Sequence, residues 1–119
     1  MTRTFINFTN HPSSLWDEAQ RQAAEAFGTI IDLPFPAVTP DLSEKEIATL
    51  GDTFIKNILS YNPAAVLCQG EFTIEFYFTS QLKKQGIPVL AACSERNTVT
   101  IGNEKRSIFT FVQFREYVI

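Results

Sequence analysis

Apolar and polar positions fall into short blocks along this chain, and the blocks predict buried strands that alternate with amphipathic helices. The most apolar block, 64–68, contains no polar residue before Gln69. A strand without polar alternation is buried on both faces, which is typical of parallel sheets in α/β folds. Comparable blocks predict further strands at 4–8, 29–33 and 87–93.

Helical spacing of apolar residues fills the gaps between these strands. The first helix is expected to begin at a cap formed by Ser13 or Ser14 and to end at Gly28. The segment 43–46 is a capping box, with serine at the cap and glutamate three residues later, and it opens a second, strongly periodic helix. Residues 71–85 have strand propensity, but their apolar spacing and the crossover that two parallel strands require favour a third helix.

The chain then ends in a predicted hairpin. Residues 94–96 are expected to form a polar turn after the fourth strand, and alternating residues at 98–101 and 107–114 predict two antiparallel strands around Gly102. The βαβαβαβ order predicts one α/β domain over 1–119, a Rossmann-like three-layer sandwich. Its mostly parallel sheet would have the strand order 2-1-3-4, right-handed crossovers and the hairpin as an antiparallel edge.

Composition and charge limit the classes of partner. With 119 residues, 45% of them hydrophobic and 19% charged, the chain has the composition of a globular domain. Its formal net charge of −3 excludes a general duplex-binding surface, which needs clustered lysine and arginine to neutralise phosphates. A small anionic ligand remains compatible with this charge, because it needs only a few backbone amides and one arginine.

The cysteines and the single histidine predict neither a metal nor another cofactor. Cys68 and Cys93 each end an apolar strand, and we expect them to be reduced thiols in a cytoplasmic protein. One histidine and two cysteines at this spacing do not form a metal-binding pattern. No apolar run approaches the roughly 18 residues of a membrane span, and neither a signal peptide nor a membrane partner is expected.

Polar residues follow three of the predicted strands and should meet at one edge of the sheet. In open α/β sheets, ligands bind outside the carboxyl ends of the strands, where the strand order reverses. The first and third strands would flank that crevice. The residues expected at this edge are Thr9, Asn10, His11, Ser13, Gln69, Gly70, Glu71, Thr73, Ser94, Glu95 and Arg96.

The main candidates also have purely structural interpretations. His11 is a candidate general acid or base, or it only packs in its turn. Gly70 leaves room for a ligand at helix amides, or it serves a tight turn or close helix packing. Glu71 could orient His11, a water or a ribose hydroxyl, or it only favours the helix N-terminus. Arg96 could hold a phosphate beside Ser94, or it is a solvated charge at a strand end.

Aromatic residues raise two further alternatives. Trp16 lies one position off the apolar stripe of the first helix, which suits a half-buried core or interface residue and also allows a base to stack on it. Phe109, Phe111 and Phe114 belong to the core, or the apolar hairpin pairs with a second copy and forms a homodimer.

The order of several short motifs matches that of a known family. Asn10-His11 follows the first strand, 69–72 follows the third, Arg96 lies past the fourth, and 111–117 closes the hairpin. In these features the chain resembles the small accessory proteins of type III CRISPR systems. The resemblance implies a Rossmann-like fold related to CARF domains.

The same resemblance implies recognition of a cyclic oligoadenylate and, in some members, its cleavage as a ring nuclease. That cleavage is metal-independent, because a ribose 2′-hydroxyl attacks the adjacent phosphate. His11 would be the acid or base, and Arg96 would stabilise phosphate charge. The ligand contacts would come from Gln69, Gly70 and Glu71. Two alternatives stay open: a non-catalytic nucleotide-binding sensor, and an interaction protein that dimerises through its Phe-rich hairpin.

Overall fold

The chain alternates between strands and helices, as the sequence pattern predicts. The structure is a computed structural model that describes residues 2–118; Met1 and Ile119 of the predicted domain lie outside the described residues. The elements in chain order are β1 (Thr4–Phe8), α1 (Glu18–Glu25), β2 (Thr29–Asp32), α2 (Glu44–Leu59), β3 (Pro63–Cys68), α3 (Phe72–Lys84), β4 (Val89–Ile101) and β5 (Glu104–Glu116). A single 3-10 turn at Ser13–Leu15 precedes α1.

The five strands form one sheet in the order β2-β1-β3-β4-β5. β1 pairs in parallel with β2 and β3, β3 pairs in parallel with β4, and β5 runs antiparallel to β4. The predicted order 2-1-3-4 and the antiparallel C-terminal hairpin are therefore confirmed. The fold is a mixed α/β domain, and helical crossovers join its parallel strands because a tight turn cannot connect parallel neighbours.

Apolar side chains cover both faces of the sheet. On one face Phe8 packs with Ile58 of α2 and Phe78 of α3, and all three side chains are fully buried. On the other face Phe5 packs with Ala24 of α1. Phe5 and Phe8 are three residues apart in one strand and therefore point to opposite faces. A core on each face explains why the apolar pattern of β1 hardly alternates with polar residues.

The two long helices begin where the sequence predicts. The Ser43 hydroxyl accepts a hydrogen bond from the Glu46 amide at 3.1 Å, and the Glu46 carboxylate accepts one from the Ser43 amide at 3.0 Å. The predicted capping box of α2 is therefore confirmed. The ambiguous segment 71–85 is helical as predicted, since it forms the crossover α3 between the parallel strands β3 and β4.

The first helix begins later than the sequence predicts. The predicted cap at 13–14 is wrong, because α1 starts at the N-cap Asp17, whose carboxylate accepts from the Gln20 amide at 2.8 Å. Ser13 is engaged elsewhere: its hydroxyl donates to Asp32 Oδ2 at 2.9 Å. Aspartate and serine cap helices about equally well, so the local sequence does not separate the two starts.

The predicted turn at 94–96 is also wrong, because β4 continues through it. β4 and β5 pair along almost their whole lengths, with one register shift after Cys93. β3 pairs with β4 only at Val89 and Leu90. The rest of the β4–β5 ribbon therefore extends beyond the other strands, and its residues 94–111 are called the hairpin arm below.

Candidate functional site

A cavity of about 630 Å³ opens at the carboxyl edge of the sheet. Its volume lies within the range of small-molecule sites, roughly 300–1,000 Å³. Nine residues line it: Thr9, His11, Trp16, Gln20, Leu67, Gln69, Ala92, Ser94 and Phe109. The structure thus brings together four of the predicted site residues, which come from the ends of β1 and β3 and from the hairpin arm: Thr9, His11, Gln69 and Ser94.

Gln69 bridges β3 and β4 where their backbones stop pairing. Its Oε1 accepts a hydrogen bond from the Ala92 amide at 2.9 Å. This bond determines which end of the side-chain amide faces β4. The Nε2 group makes none of the hydrogen bonds described for residues 2–118, so its two N–H donors are available to an acceptor in the cavity.

A buried hydrogen-bond network holds the turn that carries His11. Asn7 of β1 is 1% exposed, and its Nδ2 donates to the His11 carbonyl and to Asp32 Oδ1, each at 2.9 Å. The Thr9 hydroxyl donates to Asn7 Oδ1 at 2.9 Å and accepts from the His11 amide at 3.1 Å. The bonds that reach His11 end on its backbone carbonyl and amide and none ends on its imidazole, so the network fixes the turn while His11 lines the cavity.

Two aromatic side chains line the same cavity. Trp16 packs edge-on against Phe5 and Phe114, with ring centroids 6.2 and 6.3 Å apart. Its position is half-buried, as the sequence predicts. Phe109 of the hairpin arm is 66% exposed. Exposed ring faces of this kind are suited to stacking against a nucleobase.

Arg96 adjoins the cavity without lining it. It lies opposite Phe109 in the β4–β5 register, with its guanidinium carbon 5.9 Å from the Phe109 ring centre. Its Nε donates to the Ser107 hydroxyl at 3.1 Å. Since side chains alternate along a strand, Arg96 and Ser94 stand on the same face of the hairpin arm. Arg96 therefore remains near the edge where the sequence predicts it.

The predicted residues at the start of α3 serve packing and capping. The ring of Phe35 occupies the space where a Cβ on Gly70 would stand, which agrees with the close-packing interpretation and leaves no room for a ligand there. Glu71 is the N-cap of α3 and accepts from the Thr73 hydroxyl at 2.6 Å and from the Ile74 amide at 2.9 Å. These bonds, with that from Thr73 the larger cause, lower the pKa of Glu71.

Two further predicted residues lie outside the cavity lining. Asn10 is exposed in the turn after β1. The hydroxyl and backbone amide of Ser13 both donate to the Asp32 carboxylate, which ties the 3-10 turn to the end of β2. Neither residue lines the cavity, although both lie in the segment that joins β1 to α1, which contributes His11 and Trp16 to its lining.

The charge distribution around the cavity favours a neutral or anionic ligand. The chain has 13 aspartates and glutamates, yet none is among the residues that line the cavity within the described range 2–118. A ligand with phosphate groups would therefore meet donors from Gln69, Ser94 and His11 rather than carboxylates.

Metal-binding and membrane-spanning features are absent from the described residues. In this part of the chain no three side chains of His, Cys, Asp or Glu come close enough to hold a metal ion. No helix within it combines the length and the apolar character that crossing a membrane requires.

Replacing Gly70 with alanine should lower the free energy of unfolding by about 1–3 kcal/mol, the usual cost of overpacking. The new methyl group would overlap the Phe35 ring, which is 5% exposed and held against Phe8 and Phe78. Urea denaturation measures this cost. In a Phe35→Leu background the smaller side chain should reduce it, and an equal cost in both backgrounds would contradict this explanation.

Sequence reasoning missed several residues that shape the cavity. Asn7 and Asp32 are not among the site residues that the sequence predicts, although a lone asparagine in the apolar strand 4–8 is a signal, because buried polar groups need partners. The sequence pattern predicts Phe109 in the core or in a dimer contact. No local signal distinguishes those roles from a place on the cavity lining, since that depends on how far β4 runs past β3.

Comparison with known protein families identifies a match over most of the chain. The model of a family described as the uncharacterized protein MJ1673 family matches residues 3–115. No curated protein matches the sequence, and no solved structure matches it. The matched range includes every residue that lines the cavity at the carboxyl edge.

Proposed function

The chain belongs to the MJ1673 family, an uncharacterized family, and from its cavity we propose that it binds a small cyclic oligoadenylate. One observation carries the proposal: a single cavity at the carboxyl edge of the sheet combines aromatic walls, unengaged donors and no carboxylate. A nucleotide offers a π face, acceptor atoms on the base edge and phosphate oxygens. Each of these parts has a chemical counterpart in or beside the cavity.

Stacking would supply most of the affinity. Trp16, which is half-buried, and Phe109, which is exposed, line the cavity and leave aromatic surface accessible. Base–aromatic stacking contributes roughly 1–3 kcal/mol per base. Adenine has a large π surface, so an oligoadenylate suits two aromatic walls.

Polar groups would orient the ligand. Gln69 Nε2 and the Ser94 hydroxyl make none of the hydrogen bonds described for residues 2–118 and can donate to base nitrogens or phosphate oxygens. Arg96, on the same face as Ser94, keeps its terminal guanidinium nitrogens for a phosphate, since only its Nε is bound to Ser107. Arginine suits this task because its planar donors match phosphate geometry.

The geometry supports binding more directly than cleavage. Of the three residues predicted to be catalytic, His11 lines the cavity, Arg96 adjoins it and Glu71 caps α3. In the cleavage version, a ribose 2′-hydroxyl attacks the adjacent phosphorus, the bond from phosphorus to O5′ breaks, and a 2′,3′-cyclic phosphate and a 5′-hydroxyl form. His11 would move the proton, and Arg96 would stabilise the phosphate charge. Binding without turnover, as in a sensor, needs neither step.

A second candidate function is self-association through the hairpin arm. β5 is the edge strand of the sheet, and three apolar side chains of the β4–β5 ribbon are about half exposed: Ile101, Ile108 and Val112. Unpaired edges and apolar patches of this kind favour pairing with a second copy. We therefore propose a homodimer as the second candidate. We also propose that the fold is related to Rossmann-like folds. A cytoplasmic location is proposed because the two cysteines are free thiols. Light scattering across a concentration series tests the dimer, and a monomer at all concentrations would contradict it.

Trp16 provides a direct assay, because it is the one tryptophan in the sequence. Titration with cyclic tetra-adenylate or hexa-adenylate in EDTA should change its fluorescence in a saturable manner. Gln69→Glu keeps the acceptor for the Ala92 amide but replaces the donors with a negative charge, so it should weaken binding about tenfold or more. Gln85→Glu makes the same charge change at the exposed end of α3 and should bind normally.

The same samples separate binding from cleavage. Chromatography of the ligand after incubation should reveal linear products if His11 acts, and His11→Ala should then abolish them while binding changes only a few-fold. Saturable binding without products supports the sensor version. The absence of any fluorescence response, or equal weakening by Gln69→Glu and Gln85→Glu, would contradict the proposed site.

A further inference from the structure

A second cavity, of about 320 Å³, lies between α3 and the C-terminal segment and shares no lining residue with the site above. Three aromatic side chains line it, Phe72, Phe76 and Tyr117, together with the carboxylate of Glu75. Its remaining lining residues are Thr79, Ser80 and Val118. No lysine, arginine or histidine is among the lining residues within the range 2–118.

Two of the aromatic side chains are exposed, and the third is held in place by a hydrogen bond. Phe72 and Phe76 are one helical turn apart and are 84% and 74% exposed. Two phenylalanines on the same exposed face are more than isolated surface apolar residues and mark a binding surface. The Tyr117 hydroxyl donates to the Cys68 carbonyl at 2.9 Å, which anchors the third ring against β3. Burial, and secondly the Glu75 carboxylate, raise the pKa of Tyr117, so its hydroxyl stays a neutral donor.

Glu75 presents a fixed carboxylate to this aromatic cavity. Its Oε1 accepts from the Gly70 amide at 3.2 Å and lies 3.1 Å from the Tyr117 hydroxyl, whose single proton is shared between this oxygen and the Cys68 carbonyl. Both bonds end on the same oxygen, so Oε2 accepts none of the hydrogen bonds described for residues 2–118. A carboxylate with one free oxygen beside apolar rings is complementary to a cation and repels an anion.

A buried threonine also borders the cavity. Thr79 is 7% exposed, and its Oγ1 has no hydrogen-bond partner in the part of the chain that the structure describes. Burial, and secondly the Glu75 carboxylate, raise the pKa of the neighbouring Cys68 thiol, and the Thr79 hydroxyl partly offsets this rise.

We propose that Phe72, Phe76, Tyr117 and Glu75 form an aromatic cage for a small organic cation of the alkylated ammonium class. Ring faces attract cations through their quadrupole, and quaternary ammonium groups are bound by cages of this composition. The free Oε2 of Glu75 supplies the ion pair. The negative net charge of the chain adds a weak attraction of the same sign.

The test compares choline with 3,3-dimethyl-1-butanol, which has the same shape without the charge. Each is titrated into the isotopically labelled full chain, and chemical shifts are followed by NMR. Choline and tetramethylammonium should shift the resonances of Phe72, Phe76 and Thr79 in a saturable manner. The neutral analogue should bind about two- to fivefold more weakly or not at all, the expected contribution of an exposed cation–π contact.

Two variants test the roles of the ring and the charge. Phe76→Leu keeps an apolar side chain without the π face, and Glu75→Gln keeps an acceptor for Gly70 and Tyr117 without the charge. Each should weaken choline binding about two- to fivefold. Glu95→Gln makes the same charge change in the exposed hairpin arm and should leave choline binding unaltered.

The binding measurements distinguish an aromatic cage for cations from a purely apolar pocket. Preference for choline over its neutral analogue, lost in both cage variants and retained in Glu95→Gln, supports the cage. Equal binding of both compounds identifies a purely apolar pocket and overturns the proposal. An absence of shifts at these residues at near-molar tetramethylammonium overturns it as well.

Discussion

Replacing Phe78 with alanine should lower the free energy of unfolding by about 3–5 kcal/mol, the usual cost of removing a buried phenylalanine ring. Phe78 of α3 is 0% exposed, and its ring centroid lies 4.9, 5.7 and 6.3 Å from those of Phe8, Phe35 and Phe54. These rings join β1, the connector before α2, α2 itself and α3. Removing the Phe78 ring leaves a void between these elements. The neighbouring rings cannot fill it without losing contacts that they make elsewhere in the core.

Urea denaturation of both variants of α3 checks this expectation. Phe76→Ala removes the same ring two residues earlier in the helix, where the side chain is 74% exposed, and should change stability by less than about 1 kcal/mol. The contrast between Phe78 and Phe76 isolates burial from helix propensity. Equal effects of the two substitutions would contradict the core described for this face of the sheet.

Replacing Asn7 with leucine should cost about 2–4 kcal/mol, even though leucine fits the apolar pattern of β1. The substitution removes the partner of the Thr9 hydroxyl, the His11 carbonyl and one oxygen of Asp32. A buried polar group without a partner costs roughly 1–3 kcal/mol, and solvent can reach part of this network.

Asn7→Leu should also affect the cavity at the carboxyl edge. Without the network, the turn that carries His11 is free to rearrange, so the Trp16 fluorescence response to cyclic oligoadenylate should weaken at temperatures where the variant is folded. Asn57→Leu, on the exposed side of α2, is the matched control and should change neither property. A variant at Asn7 as stable and as responsive as the wild type would show that the network has no structural role.

The sheet can be predicted because the buried strands are continuous apolar segments of the sequence. Val66 and its neighbours are apolar on both sides of the strand, which only a strand covered on both faces explains. The segment that begins at Phe72 shows the limit of propensity. Its β-prone residues form a helix because the parallel strands on either side require a crossover of about a dozen residues.

The predicted turn at 94–96 and the predicted helix cap at 13–14 are wrong because distant residues decide the local conformation there. Residues 94–96 are polar and suit a turn, yet pairing with β5 keeps them in β4. Ser13 suits a helix cap, yet Asp32 binds its hydroxyl and Asp17 caps α1 instead. Asp32 lies 19 residues from Ser13, and the β5 partners of 94–96 lie at 109–111, so a short window of sequence reveals neither contact.

Part of the candidate site can be predicted from the strand order. Thr9, His11 and Gln69 meet because the carboxyl ends of neighbouring parallel strands meet, a rule that the strand order alone supplies. Gly70 and Glu71 follow the same strand but turn toward α3 and the connector that carries Phe35. Which way a residue turns after a strand depends on packing, and the sequence pattern does not encode it.

The most direct test of the central claim is NMR mapping of cyclic tetra-adenylate on the isotopically labelled chain. The proposed function predicts saturable shifts of the Trp16 indole, of the Gln69 side-chain amide and of backbone amides near Thr9 and Ser94, with α2 unaffected. Shifts confined to other surfaces, or a spectrum unchanged at saturating ligand, would contradict binding in this cavity.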